Sequence, residues 1–538
     1  MESDTPAALR ALYDQVAKCG KCGFCQPACP VYRTTYREAH VARGKHALVR
    51  NLIEGETVLD ADLRDAFDNC LLCRACTASC FSDLKTDRLV VAFREAYARR
   101  FGRSTLQRVI FRGLLPDPRR MRQVVWAAWA AREAGLDGVA ARWGLLDMIN
   151  PKLTKALELR EGAPGQFLRV RLARPAAEAG GRRGGLTAPI LPPTRDAGAE
   201  SWERGDRPVR VGYWISCGYN YMLPEVGVAA VSVLRRAGAS VEVLPNACCG
   251  LPVYGYGDVD GARALARRNI EVMGDLTRFD AVVSECGSCS GHLKEYPELF
   301  ADDGEFRTRA RRLAAKVRSF SEFLVEQGCT EIPAARATTR SQQPQSAQRA
   351  QSMPLGPSPR PPQIAPFGPS LRLPQAPEPS LQPRALHVER PGLGAGGPAW
   401  ESRRVGSPPL SPTLDAGGPG EQPGRPLVVT FHEPCHLGAR FQGVVSQPRD
   451  LLRSLPGVEF RELPEADRCC GAAGSYNVLN PEVSAAILAR KMEKVASTGA
   501  DVVVTECPSC MLQLSLGAKR AGSKVRVLGI SEMLAGLY

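Results

Sequence analysis

Nineteen cysteines punctuate this 538-residue chain, and all but one fall into runs whose spacing suits a metal. Ten of them form two matching sets. The first is Cys217, then Cys248-Cys249-Gly250, then Cys286-Gly287-Ser288-Cys289. The second is Cys435, then Cys469-Cys470-Gly471, then Cys507-Pro508-Ser509-Cys510. Cys249 to Cys286 is 37 positions, and Cys470 to Cys507 is again 37. A shift of 221 residues lays Ala264 on Ala485, Asp280 on Asp501, Val283 on Val504 and Glu285 on Glu506. Met1 leads into a polar, helix-like segment, so no secretion signal is expected. Clustered thiols without such a signal point to metal rather than disulfides.

The other eight form two C-x2-C-x2-C-x3-C runs: Cys19, Cys22, Cys25, Cys29 and Cys70, Cys73, Cys76, Cys80. This is the run of bacterial-type [4Fe–4S] proteins, in which the fourth cysteine ligates the other cluster. The expected sets are therefore Cys19, Cys22, Cys25 and Cys80 for one cluster, and Cys70, Cys73, Cys76 and Cys29 for the other. The first run ends Cys29-Pro30 and the second Cys80-Phe81. Loss of the proline alters the turn and removes no ligand. Two zinc sites are the alternative, but zinc modules use separated C-x2-C pairs. The runs start 51 residues apart with helical sequence between, which predicts a helical dicluster ferredoxin-like domain.

The elements that must hold these cysteines follow from periodicity. Residues 5 to 17 read as a helix with Thr5 as N-cap and Pro6 at its first position. DRLVVAFREAYARRF and RQVVWAAWAAREAGL carry apolar residues at helical spacing, with Trp126, Trp129 and Trp143 expected in the core. The first five-cysteine unit reads strand 209–216, helix 225–237, strand 240–245, helix 261–274, strand 280–285. The second reads strand 426–431, strand 457–463, helix 481–497, strand 501–506, then strand 524–529 and a short helix. Alternating strands and helices imply a small α/β unit with a mainly parallel sheet. Each cysteine group follows a strand, at the edge where such folds place their sites. The two units are expected to pair so that they share one sheet-edge surface. Gly255, Gly257 and Gly261 resemble a dinucleotide loop only faintly and read as turn glycines opening a helix. His292, His432 and His436 lie beside cysteines and read as supporting residues rather than ligands. Cys329 stands outside every motif and reads as an inert thiol.

The fold class is thus α+β multidomain. The expected domains are 1–100, the dicluster domain; 101–170, a helical connector; 171–207, a flexible linker; 208–330, the first cysteine-rich unit; 331–425, a Pro-rich linker; and 426–538, the second unit. The 331–425 segment has few bulky apolar residues, predicting disorder and dispensability for folding. Formal net charge is +14, concentrated in Arg-rich stretches, which serves solubility or docking to acidic partners. The basic residues are not interleaved with aromatics, so a nucleic-acid partner is not expected. The apolar run Val124 to Ala131 is too short for a membrane span. A cytoplasmic location with reduced thiols is expected.

CGFCQPACPVY, CLLCRACTASC, HEPCHL, CCGAAGSY and TECPSC together resemble the iron–sulfur subunit of glycolate oxidase and related (Fe–S)-binding oxidoreductases. The likeness covers nearly everything outside 171–207 and 331–425. The repeated unit, a CCG domain, also resembles the cysteine-rich subunit of heterodisulfide reductase, where each five-cysteine set holds a non-cubane [4Fe–4S] cluster. The resemblance therefore implies two [4Fe–4S] clusters at the ferredoxin cysteines. It implies further clusters at Cys217, Cys248, Cys249, Cys286, Cys289 and at Cys435, Cys469, Cys470, Cys507, Cys510. It also implies an oxidoreductase subunit inactive alone. Oxidising a 2-hydroxy acid removes two electrons at once, whereas iron–sulfur clusters pass one at a time. A flavin does both, and the chain has no recognisable flavin or nicotinamide site. An FAD-containing partner subunit and a quinone-like acceptor are thus implied, with peripheral association at the inner face of the membrane. The alternatives are thiol–disulfide chemistry at the five-cysteine sets and a zinc-held assembly module. No catalytic residue is assigned.

Overall fold

The computed structural model describes residues 6–135, 166–173, 208–329 and 425–536. Trp143, residues 331–424 of the 331–425 segment and most of the 171–207 linker lie outside the described residues. Among the described residues no helix is long and apolar enough to cross a membrane.

The N-terminal region is helical. Ala42–Glu54, Ala61–Asp68 and Thr86–Phe101 pack around Leu9, Val49, Phe67, Leu89 and Phe93. The Phe67 and Phe93 rings stack with centroids 3.7 Å apart. Asp60 caps the second of these helices by accepting from Leu63 N at 2.8 Å. The predicted helix at 5–17 is two pieces, Ala7–Arg10 and Tyr13–Ala17. The break falls at Leu12 (φ −96°, ψ 5°) and still leaves Leu9 and Val16 buried.

The two cysteine runs fold alike. Lys21 and Gly23 have positive φ (52° and 90°), and so do Leu72 and Arg74, 51 positions on (51° and 59°). Non-glycine residues rarely adopt this conformation, and when they do it is commonly at functional loops. It curls the backbone around the space that the thiols face.

Each five-cysteine unit is a four-stranded parallel sheet. Strands β1 (Arg210–Tyr213), β2 (Ser240–Val243), β3 (Ala281–Ser284) and β4 (Val317–Ser319) lie in the order β2-β1-β3-β4. Strands β5 (Leu427–Phe431), β6 (Val458–Phe460), β7 (Val502–Thr505) and β8 (Arg526–Gly529) lie in the order β6-β5-β7-β8. All pairs are parallel, with Val211 opposite Val241 and Ala281 in the first sheet and Val429 opposite Phe460 and Val502 in the second. β3 and β7 are buried along their whole length, as expected of strands covered on both faces. The order reverses between β1 and β3 and between β5 and β7, the switch point where parallel α/β sheets bind ligands.

β4 was not anticipated. The first unit inserts an extra helix, Gly304–Lys316, between β3 and β4, which breaks the 221-residue correspondence. The signal lay in a different shift: Ser319-Phe-Ser-Glu-Phe-Leu aligns with Gly529-Ile-Ser-Glu-Met-Leu. Both begin a helix in which the Glu carboxylate reaches back to the first backbone N–H.

The two units pair through a pseudo-twofold interface. Helix Pro224–Arg236 of the first packs on Ile530–Leu534 of the second, and Ser446–Arg453 of the second packs on Phe320–Glu326 of the first. Ser531 Oγ donates to Val226 O at 2.9 Å, and Ser321 Oγ donates to Glu506 Oε2 at 2.6 Å. A single apolar core runs through both units.

One expectation is corrected. Trp126 is 64% exposed and Trp129 is only partly buried, against Phe167 (centroids 4.8 Å apart); helix Pro118–Glu133 buries no residue fully. Its apolar residues form the continuous run Val124 to Ala131, of which Val124 and Trp126 stay exposed. Leu168–Leu172 is a helix docked on the first unit. Leu168 is buried there, and Arg169 donates to Leu244 O (2.7 Å) and Asn246 O (2.9 Å).

Candidate metal centres

All nineteen cysteines are free thiols. A cavity in the N-terminal region is lined by Cys29 of the first run and Cys70, Cys73 and Cys76 of the second. Thiols this crowded cannot all ionise without a cation among them. Burial, then Cys70 and Cys29, push the Cys76 thiol far up, and burial with Cys469 does the same to Cys73. The donor set fits a cluster that supplies the missing positive charge. On the other side, Cys19 and Cys25 are neighbours. Phe24 and Phe81 meet edge to face, with centroids 4.8 Å apart, and draw the residue after Cys80 onto the residue before Cys25. Cys22 is exposed, so this site lies at the surface.

Sequence reasoning missed Lys45. It is 1% exposed, lines the Cys29–Cys70 cavity and donates to His40 O (2.5 Å) and Ala39 O (3.2 Å). Burial lowers its pKa, while Cys70, Cys29 and Cys76 oppose that shift. A lysine on the apolar face of a helix was the available signal.

In the repeats, the strand ends and helix starts bring the thiols together. Cys286 and Cys507 are N-caps of Gly287–Leu299 and Pro508–Arg520, with Cys289 and Cys510 in the first turns. A helix N-terminus favours thiolate. The glycine of each Cys-Cys-Gly is left-handed, Gly250 at φ 94° and Gly471 at φ 90°. Its N–H turns back to the sulfur two residues earlier, at 3.5 Å for Cys248 and 3.4 Å for Cys469. Thiols then follow one another as neighbours that perturb each other: Cys217 with Cys248, Cys248 with Cys249, Cys249 with Cys289, Cys289 with Cys286. The second set runs Cys435, Cys469, Cys470, Cys510, Cys507 in the same way. Cys286 meets Cys507 across the interface, so both sets form one chain of sulfurs. Cys73, Cys435 and Cys469 share an apolar cluster with Tyr476 and Ile487, which places the second set beside the N-terminal cavity.

Other contacts lock these modules. His436 Nε2 lies 3.0 Å from Leu72 O, and Tyr476 OH donates to Asn69 Oδ1 at 3.2 Å. Arg94 donates to Phe67 O (2.8 Å), Cys70 O (3.0 Å) and, in the first repeat, Gly255 O (2.6 Å). Gly257, at φ 74°, is a turn glycine: a Cβ there would meet Glu95 N at 2.4 Å. His292 is buried between the Tyr254 and Tyr296 rings, 5.5 Å from each. His432 is buried within 4.8 Å of Cys470 and Cys510, counted between ligating atoms. Burial raises Glu285 to about 7 and Glu506 to about 8, so both carboxyls hold a proton more firmly than an exposed acid. Cys329 is buried, with its thiol pushed up to about 11.

A helical domain with two ferredoxin-type runs, joined to two paired parallel sheets with thiols at their carboxyl edges, defines an iron–sulfur protein of dicluster and cysteine-rich type. Comparison agrees: residues 15–84 match the 4Fe-4S dicluster domain, and 211–294 and 429–515 each match the cysteine-rich (CCG) domain. Residues 102–159 match the linker region of the glycolate oxidase iron-sulfur subunit. In their order along the chain these matched segments resemble those of a glycolate oxidase iron–sulfur subunit. It is 26% identical over 532 residues to the probable glycolate oxidase iron-sulfur subunit of Bacillus subtilis (strain 168), covering 97% of this chain and 93% of that protein. It is 25% identical over 328 residues to lactate utilization protein A 2 of Bacillus mycoides (strain KBAB4), covering 61% of this chain and 98% of that one. Lactate utilization protein A 1 of Bacillus cereus (strain AH820) matches at 25% over the same coverage.

Proposed function

We propose that this chain is the electron-transfer subunit of a flavin-dependent 2-hydroxy-acid dehydrogenase complex of glycolate or lactate type. It takes electrons from an FAD-bearing partner and delivers them towards a quinone-like acceptor. The observation that carries this reading is the ordered thiol series. It starts at the exposed Cys22 run, passes through the Cys29–Cys73 cavity, and continues through Cys435 and Cys469 to the Cys507–Cys286 contact.

Cys19, Cys22, Cys25 and Cys80 would hold one [4Fe–4S] cluster and Cys29, Cys70, Cys73 and Cys76 the other, with the two five-cysteine sets holding further metal. Bound clusters supply one-electron chemistry. The protein's own residues do the rest. Lys45 places a buried cation at the cavity wall, and burial of the repeat thiols excludes water from the path. The location follows the partner: the cytoplasm, at the inner face of the membrane where a quinone is the acceptor.

Co-purification identifies the partner. The chain alone is expected not to oxidise glycolate or lactate. In the complex, Cys22→Ser or Cys73→Ser should leave substrate reduction of the flavin intact and block onward transfer. Hydroxy-acid oxidation by this chain alone, without flavin, would overturn the division of labour. Thiol–disulfide chemistry is the second reading, favoured by the direct Cys286–Cys507 contact. Turnover of a disulfide substrate, lost on Cys249→Ser or Cys470→Ser, would decide for it.

A further inference from the structure

The two repeats share a backbone plan, yet one position at the heart of the plan differs in chemistry. Directly after β1, Trp214 N donates to Val283 O at 2.8 Å; directly after β5, His432 N donates to Val504 O at 2.8 Å. Val283 and Val504 correspond in the 221-residue shift. Trp214 and His432 are therefore equivalent residues at equivalent strand ends, both buried. An indole offers only an N–H donor, whereas a neutral imidazole offers a lone pair that binds metal.

His432 is 1% exposed, and neither ring nitrogen has a hydrogen-bonding partner. The Ala466 carbonyl lies beside the ring without completing a bond to it, and already accepts the Glu433 N–H at 3.2 Å. A buried polar group left unpaired costs roughly 1–3 kcal/mol, so an imidazole in this position calls for a partner. The ligating atoms of His432, Cys470 and Cys510 all lie within 4.8 Å of one another. Donors on one metal ion, about 2.0–2.3 Å from it, stand somewhat closer than that, so small side-chain adjustments close the site. A backbone carbonyl beside the ring is the usual means of orienting a metal-bound histidine. His292 is also buried and unpartnered, but it lies between two tyrosine rings.

We propose that His432 is a metal ligand of the second five-cysteine set. The first repeat then holds an all-thiolate centre and the second a mixed imidazole–thiolate centre. This inference rests on the reading that the second set binds metal, and its partner class is a thiophilic transition metal: iron in a cluster, or zinc. A neutral imidazole brings no negative charge where a cysteine at the same position would bring one, so it holds an iron centre at a higher potential than a thiolate there would.

The test uses the full chain made without oxygen, labelled with 14N- or 15N-histidine, and poised through its redox range. The expected result is a nitrogen coupling in pulsed EPR that changes with the histidine isotope; if zinc occupies the site, nitrogen appears beside sulfur in zinc-edge absorption. His432→Gln should abolish the nitrogen signature. His432→Cys should retain metal in the second set without nitrogen, and shift that centre to lower potential. Iron in the N-terminal domain should be the same in all three proteins, which reports folding. A loaded second set with no histidine nitrogen at iron or zinc overturns the inference alone. No metal in the second set overturns the inference together with the reading beneath it.

Discussion

Cys286 and Cys507, the N-caps of equivalent helices in the two repeats, are neighbours whose thiols act on each other across the interface. The backbone beside them is joined too, Gly287 N donating to Glu506 O at 2.9 Å. The two five-cysteine sets are therefore one structural unit, and damage at their boundary should reach both.

Gly287 tests that coupling. A Cβ there would stand 2.7 Å from Leu437 Cβ, in the opposite repeat. Gly287→Val should destabilise the protein by about 1–3 kcal/mol, the usual cost of overpacking. Denaturant unfolding with metal analysis checks it. Metal should fall in both repeats together; loss from the first repeat alone would show that the sets are independent.

The proposed crossing of the ligand sets makes a second prediction. Cys29 lines the cavity of the second run, and the Phe24–Phe81 contact draws the Cys80 turn to the first. An intact N-terminal domain should hold about eight iron atoms. Cys29→Ser should perturb the cluster whose other ligands are Cys70, Cys73 and Cys76, and Cys80→Ser the one with Cys19, Cys22 and Cys25. EPR of each variant distinguishes the two clusters. The opposite pattern would mean that each run closes its own cluster.

Much of this was legible because cysteine spacing and strand–helix alternation are local. Helix 481–497 emerges with its predicted bounds, and all four strands bearing Cys217, Cys286, Cys435 and Cys507 behind them are where alternation put them. β4 escaped because three residues, Val317 to Ser319, give no period to read. Trp126 was misplaced because helical spacing shows which residues share a face, and not whether anything covers that face. Lys45 and the pairing of His432 with Cys470 and Cys510 depend on residues far apart in sequence, which no local pattern encodes.

Gly257 and Arg94 take part in docking the N-terminal domain on the first repeat, beside the Arg74–Glu295 and Arg88–Glu298 ion pairs and the Arg103 hydrogen bonds to Tyr256 O and Gly257 O. Gly257→Ala adds a methyl 2.4 Å from Glu95 N at a left-handed residue. Arg94→Lys removes a planar fork that reaches four carbonyls, three in its own domain and one across the boundary. Each should cost about 1–3 kcal/mol, through strain in the first case and lost charged hydrogen bonds in the second. Limited proteolysis should release the N-terminal domain sooner in both variants, and electron transfer from it to the repeats should slow. Unchanged proteolysis would show that the remaining contacts, Arg74–Glu295 and Arg88–Glu298 to the first repeat and Tyr476 and His436 from the second, hold it without them.

His46 makes the protein sensitive to acid. It is 1% exposed, with Nε2 at 3.1 Å from Thr86 Oγ1, and burial lowers its pKa to about 4. In the unfolded chain the group titrates near 6.5, so between about 6.5 and 4 the unfolded state binds the extra proton. Stability contributed by the neutral ring is complete above the unfolded value. It is lost as pH falls through that window towards the folded value. Thr86 helps form the wall of the Cys29–Cys76 cavity, so this loss should loosen the cluster site as well. His46→Gln keeps a polar group of similar reach but cannot gain a charge. The variant should therefore lose less stability than the parent between pH 7 and pH 5, when thermal midpoints of the loaded proteins are compared. Parallel pH profiles for the two would mean that His46 does not govern the acid limb.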